Sequence, residues 1–419
     1  MYFQSADSLT TNTQLTDASG NATAMLEAGG YVTVVKPEAP LRDVIAAIGP
    51  RASLATFAAV QPGDHLYVDV PFDDGSSGEV TFTVQVPNEE QGYGYRLHTT
   101  CGSAFIGTGQ SPLQGNQRRR ARGAIAAEPL TAEVALSGCG GMADMLVVGT
   151  DSDGQVRSWQ YKANVAVVQN AVVEFTSYES PSNQELAYRV YPTVDRVDVS
   201  RELRTARGFL YADNDSVFFE SNTGSTTMDL PTPAGVLAIT TSTAFGGSSY
   251  SRSRIIDWGA NTSVEVDFST LALSAYDTQP SFDTATREVA WTETLDGNVP
   301  QLTIAQVSAF RSENEVNTQW NWELIAPRAQ TKVAYPVLPT TLFDFNIKGT
   351  DDPFVQRLTT AQVPGGYNAV RSRVFAGDLE GAVVSGTGRI VIEDQFFGEG
   401  FTGAITSALR RGGFTRRAR

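Results

Sequence analysis

Short runs of alternating apolar and polar residues recur about every 8–12 residues along this chain, and almost no stretch carries helical periodicity. A period of two places alternate side chains on opposite faces of a strand. Repeated at that spacing with turn residues between, it specifies antiparallel all-β structure rather than βα units. The two segments with helical character are short, at 41–48 and 404–411.

The segment Thr16 to Val35 shows the pattern in detail. Asp17, Ser19, Gly20 and Asn21 are turn residues. Ala22, Ala24 and Leu26 then alternate with Thr23, Met25 and Glu27, which reads as a strand. Ala28-Gly29-Gly30 turns the chain into a second, β-branched run from Tyr31 to Val35. Further along, Val80, Phe82, Val84 and Val86 share a face, as do Tyr93, Tyr95 and Leu97. Met145–Val148 reads as a short buried strand, and Asp151-Ser152-Asp153-Gly154 turns it into Gln155–Tyr161. Strands are also expected at 288–294, 302–310 and 319–325.

An internal echo suggests a repeat. Ala163-Asn164-Val165 precedes Val172-Val173-Glu174-Phe175, and Ala260-Asn261-Thr262 precedes Val264-Glu265-Val266-Asp267-Phe268. The terminal phenylalanines, Phe175 and Phe268, are 93 residues apart, close to the ~100 residues of an Ig-like sandwich. The expected architecture is a string of antiparallel β-sandwiches at 6–60, 61–175, 176–275 and 276–400, followed by a basic tail at 401–419. Tyr2-Phe3-Gln4-Ser5 looks like the remnant of a cleaved tag, so residues 1–5 are set aside.

The order strand, D-x-x-G turn, strand, A-G-G turn and Y-V-T-V in Thr16–Val35 resembles the carboxypeptidase-regulatory or Cna-B type of β-sandwich. In that family the module is a spacer or stalk of surface proteins rather than a catalytic unit. The likeness covers about twenty residues and lacks the strand with which such modules begin. The chain as a whole also looks like large secreted proteins of Gram-negative bacteria that join such a module to fibronectin- or Ig-like repeats. The resemblance implies an extracellular, cell-surface or periplasmic location.

Net charge is −15, from 46 acidic and 31 basic residues, so a nucleic-acid backbone would repel the chain. No run of about 18 apolar residues exists, and no transmembrane helix is expected. The two cysteines, Cys101 and Cys139, are too few for a structural zinc site and read as one disulfide. The alternative is a pair of reduced, buried thiols.

Catalytic constellations are hard to assemble from this sequence. Only His65 and His98 are present, both on the face opposite the apolar parity of their segments, which reads as surface. Neither H-E-x-x-H nor G-x-S-x-G occurs. Asp151 and Asp153 match the first half of a calcium loop, but the later bidentate Glu is missing and a plain hairpin turn explains them. Asp213-Asn214-Asp215, Asp73-Asp74-Gly75 and Asp351-Asp352 are similar acidic clusters. Trp320 and Trp322 share a strand face, as either a sugar platform or an inner core. Arg118, Arg119, Arg120 and Arg122 form one basic cluster. Arg410, Arg411, Arg416, Arg417 and Arg419 form another, suited to an anionic lipid, polysaccharide or acidic protein surface. The sequence therefore reads as a non-catalytic, cofactor-free envelope or secreted protein that is structural, adhesive or partner-binding. The competing reading is an accessory carbohydrate-binding region of a secreted hydrolase.

Overall fold

The computed structural model describes residues 1–397 except 8–10, 18–20, 39–47, 67–78, 88–92, 109–128, 138–140, 190–193, 219–222, 247–250, 259–262, 269–274, 277–278, 295–298, 314–315, 329–330, 341–343 and 372–387. Strands dominate the described residues, and a single four-residue helix, α1 (Tyr367–Val370), accompanies them.

The N-terminal strands are β1 (Tyr2–Gln4), β2 (Thr11–Thr13), β3 (Gly30–Glu38) and β4 (Ile48–Val60). A first unit follows with β5 (Val80–Val86), β6 (Gly94–Thr99), β7 (Gly102–Thr108), β8 (Leu130–Leu136), β9 (Met142–Thr150), β10 (Val156–Ala166) and β11 (Val172–Glu174). Its strands form a four-stranded sheet, β10-β9-β6-β7, and a three-stranded sheet, β11-β5-β8. Phe82, Val84 and Val86 from one sheet meet Tyr95, Leu97, Met145 and Val147 from the other in a single core. The alternation read from the sequence placed these residues inward for this reason.

The second unit repeats that order. Its strands are β12 (Ser182–Arg189), β13 (Val194–Thr205), β14 (Gly208–Phe218), β15 (Thr223–Leu230), β16 (Leu237–Gly246), β17 (Ser251–Trp258) and β18 (Ser263–Asp267). The order β17-β16-β13-β14 matches β10-β9-β6-β7, and β18-β12-β15 matches β11-β5-β8. In both units the last strand pairs parallel with the first. The echoed segments ending at Phe175 and Phe268 thus belong to the equivalent strands β11 and β18, and both phenylalanines are buried.

The third stretch has β19 (Ala275–Tyr276), β20 (Ser281–Asp283), β21 (Glu288–Ala290), β22 (Glu293–Thr294), β23 (Leu302–Glu313), β24 (Val316–Pro327), β25 (Lys332–Ala334), β26 (Asp352–Gln362) and β27 (Gly388–Phe396). Its order β27-β26-β23-β24 again follows the pattern. The small sheet β20-β21-β25 differs, because β20 pairs antiparallel where the other units carry a parallel strand.

The expected string of self-contained sandwiches needs correcting. β17 pairs with β27 over eight residues, and β24 pairs in parallel with β4, so one twelve-stranded sheet runs β14-β13-β16-β17-β27-β26-β23-β24-β4-β3-β1-β2. Segment 6–60 is therefore no separate module; its strands extend the sheet of the third stretch. Residues 1–5 are part of the fold as well: β1 pairs with β2 and β3, and Tyr2 is 1% exposed. Ala22, Ala24 and Leu26 do pack against the core, but as extended chain outside any strand, so their alternation reported burial rather than pairing. Segment 404–411 and nearly all of 41–48 lie outside the described residues.

Two other features position the units. β9 is buried on both faces: Met145 and Val147 enter the first unit's core, while Leu146 and Val148 enter the core of the second. Buried ion pairs cross the large sheet. Arg254 Nε donates to Asp394 Oδ2 at 3.0 Å, and Thr359 Oγ1 donates to Asp394 Oδ1 at 2.6 Å, with the Asp394 side chain fully buried. Arg311 clasps the irregular segment after β25 by donating to Asp351, Asp344 O and Asn346 O, and its guanidinium lies 5.0 Å from the Trp320 ring. Asp394→Ala removes the buried carboxylate that Arg254 and Thr359 share, so chemical denaturation should show a loss of about 3–5 kcal/mol. The double variant Arg254→Met/Asp394→Leu should recover most of it, because no charge is then stranded.

Candidate binding site

The residues that line one cleft come from strands of the first unit and from the chain that leads into the second. In the sheet, Tyr95 on β6 and Ser158 on β10 both pair with Gly149 on β9. A Cβ at Gly149 would collide with Ser158 Oγ and stand 2.8 Å from Tyr95 Cε1. Glycine here lets the tyrosine ring and the serine hydroxyl share the space over the middle strand. A β-bulge between Val156 and Ser158 leaves Arg157 as the extra residue, and bulges redirect side chains in this way.

The chain then doubles back along β10. Trp159 N donates to Glu179 O at 3.0 Å, Glu179 N donates to Trp159 O at 2.7 Å, and Trp159 Nε1 donates to Ser180 O at 3.1 Å. This strap carries Tyr178 onto Tyr95, with ring centroids 5.4 Å apart and planes 18° from parallel. Tyr178 is held from its other end, where its hydroxyl donates to Pro87 O at 3.1 Å. The result is a cavity of about 180 Å³ bounded by Tyr93, Tyr95, Tyr178, Arg157, Ser158, Glu179 and Ser180.

Arg157 is fixed at the mouth by both units. Its Nε donates to Asp151 Oδ2 at 2.7 Å, and its Nη1 lies 3.5 Å from Asp229 Oδ2 on β15. The Asp151 carboxyl is lowered below its usual range, chiefly by this bond. Its other oxygen accepts Asp153 N and Gln155 N. Asp151 and Asp153 therefore build a capped hairpin turn, and both Asp151 oxygens are engaged. No cluster of three metal-ligating side chains occurs among the described residues. Ser158 Oγ is buried beside the cavity with no hydrogen-bond partner among the described residues.

Other sequence candidates fall elsewhere. Trp320 and Trp322 are 1% exposed, as core residues on the inner face. Asp351 accepts the Arg311 guanidinium. His65 is exposed. His98 departs from its surface reading: it sits where the first two units meet, edge-on to Tyr211 of β14 at 4.9 Å. Burial, and then the Arg96 charge, lower its pKa to about 4. Nearby, Arg207 in the β13–β14 turn donates to Asn164 Oδ1 at 2.9 Å across the same junction. No free cysteine occurs among the described residues, which include Cys101. Cys139 lies outside the described residues, as do Asp73, Asp74, Arg118, Arg119, Arg120, Arg122, Arg410, Arg411, Arg416, Arg417 and Arg419.

The sequence showed Tyr93 and Tyr95 as strand residues but did not mark Tyr178, Ser158 or Glu179. The available signal was Gly149, a glycine closing an otherwise apolar run. No known family matches the sequence, and no curated protein does either.

His98 gives the junction a pH signature. The unfolded chain takes up a proton near 6.5 and the folded one only near 4, so stability falls as pH drops through that interval and is level above it. The loss at the bottom of the window is at most about 3 kcal/mol, from 1.36 kcal/mol per pKa unit. Denaturant midpoints measured across the window should flatten in His98→Gln relative to the parent; parallel curves would place the titration elsewhere.

Proposed function

We propose that this chain is a non-catalytic envelope or secreted protein, built from Ig- or fibronectin-like sandwich units and acting as a structural, adhesive or partner-binding module. The observation that carries the reading is that the second and third units are welded edge to edge through β17·β27, and the N-terminal strands extend the same sheet through β24·β4. Joined through main-chain hydrogen bonds over long registers, they resist hinge motion far better than domains on a flexible linker. The buried charges support the same reading: Arg254 with Asp394, Arg311 with Asp351, Arg328 with Glu293 and Arg371 with Asp64 are matched to each other. Turnover of glycoside, ester or peptide substrates by the homogeneous chain would overturn the reading.

The location outside the cytoplasm rests on the proposed Cys101–Cys139 bond. Thiol labelling of the denatured, unreduced protein should find no free cysteine. Cys139→Ser should lower stability by roughly 2–5 kcal/mol. Two reactive thiols would remove this support for an oxidising compartment.

Contact with an anionic surface is assigned to Arg410, Arg411, Arg416, Arg417 and Arg419, a group of like charges in a chain of net charge −15. Deleting residues 410–419 should weaken binding to phosphatidylglycerol-containing vesicles, and the full chain's binding should drop steeply with salt, since screening acts over about 8–10 Å. Equal binding by both chains would show that the tail has no such role.

A further inference from the structure

We propose that the apolar stripe of segment 401–409 docks on two exposed aromatics of the large sheet, Phe310 and Phe354, and covers them. The inference goes beyond the reading above and does not depend on it.

The surface comes first. Phe354 of β26 pairs directly with Ser308 of β23, and Phe310 lies two residues beyond Ser308. Both rings therefore project from one face as diagonal neighbours, roughly 7–8 Å apart. They are 45% and 43% exposed. Ala309, between Ser308 and Phe310, points the opposite way and enters the core with Trp320. Polar groups rim the pair. Ser308 donates to Asn321, and Gln319 and Asp352, the two residues paired with Phe310, are exposed. Adjacent exposed aromatics inside a polar rim are a surface suited to docking rather than to water.

The occupant follows from where β27 ends. Phe396 pairs with Arg357 of β26, and Phe397 N donates to Gln356 O at 2.9 Å. The chain thus leaves the sheet alongside β26, heading toward Phe354. That residue lies two positions further on, roughly 7 Å at ~3.4 Å per residue. Beyond the described residues, Gly398-Glu399-Gly400 can span up to about 10 Å, which brings Phe401 within reach of the Phe354 ring.

The sequence after that linker has the pattern such a surface requires. Phe401, Ala404, Ile405, Ala408 and Leu409 recur at i, i+3, i+4, i+7 and i+8, which aligns them on one face of a helix. Gly403, Thr406, Ser407 and Arg410 fall on the opposite face. Arg410 and Arg411 suit a last helical turn, and Gly412-Gly413 suit a stop. A helix this short is marginal alone in water and needs an apolar surface to pack on. Ile405 and Leu409 would stand ~6 Å apart along its axis, close to the separation of the two aromatics. Charge agrees as well: the stripe ends in two arginines, and the exposed Asp352 carboxylate stands at the rim of the patch.

The test is amide hydrogen exchange of the full chain, read by mass spectrometry at neutral pH. Segment 401–411 should exchange at least about tenfold more slowly than 412–419, the internal reference. Phe310→Thr/Phe354→Thr keeps β-formers on both strands, so it should erase that difference with the melting temperature unchanged. Phe354→Thr alone should reduce it, and Ile405→Ser/Leu409→Ser should erase it from the other side of the contact. Equal exchange throughout 401–419 in the parent overturns the proposal. So does protection that survives Phe310→Thr/Phe354→Thr, which would seat the stripe elsewhere on the chain. Protection lost on dilution together with a dimer seen by light scattering would assign the stripe to a second copy. Protection that arises only with phosphatidylglycerol vesicles would assign it to a membrane. Either result also overturns the proposal.

Discussion

The pairing of β17 with β27 is the contact on which the rest of the architecture depends. Every unit of this type ends its four-stranded sheet on an open edge, and an open edge exposes unpaired amides and carbonyls. The second and third stretches solve the problem by pairing their edges with each other, from Ser251 against Gln395 to Trp258 against Gly388. Once these strands are joined, Ile256 on one and Ile390 and Ile392 on the other fall on the same side. They enter a core that receives side chains from nine consecutive strands, β16 through β1. The weld therefore creates an apolar interior that no single unit could assemble.

The first unit is attached by a different principle. Among the described residues it shares no hydrogen-bonded edge with the large sheet, and β9 instead presents apolar residues on both of its faces. Around that packing, polar contacts fix the angle: Arg157 reaches Asp229, and Arg207 reaches Asn164. The cleft lies at this seam. Its lining residues all precede β12, and Arg157 alone among them reaches the second unit, through Asp229.

Local pattern was legible in the sequence, and connectivity was not. Val80–Val86 is a strand from its first to its last expected residue, and Met145–Val148, expected as a short buried strand, lies buried within β9. The repeat was visible through Phe175 and Phe268 because each closes the same edge strand. The union of β4 with β24 left no trace, since parallel pairing between distant segments is decided by which edges remain open after each unit folds. Tyr2–Gln4 resembles the remnant of a cleaved tag, and three residues hold too little pattern to show that β3 would receive them. The cleft followed this division. Tyr95 could be read as inward, but the stacking of Tyr178 on it depends on a strap whose pairing with Trp159 is a single isolated bridge.

The parallel contact between β4 and β24 also bears on how the protein is made. Ala52 is aligned with Trp320, so the N-terminal strands emerge from the ribosome long before their partner exists. Two complete repeats are synthesised in the interval and can fold as they appear. Throughout that time one side of β4 is an unsatisfied strand edge, with Phe57 and Leu54 uncovered beside it. Non-local pairing of this kind slows folding and exposes intermediates to aggregation. The lag between translation of the first sixty residues and their final docking is thus a window in which a chaperone has reason to hold the nascent N-terminus.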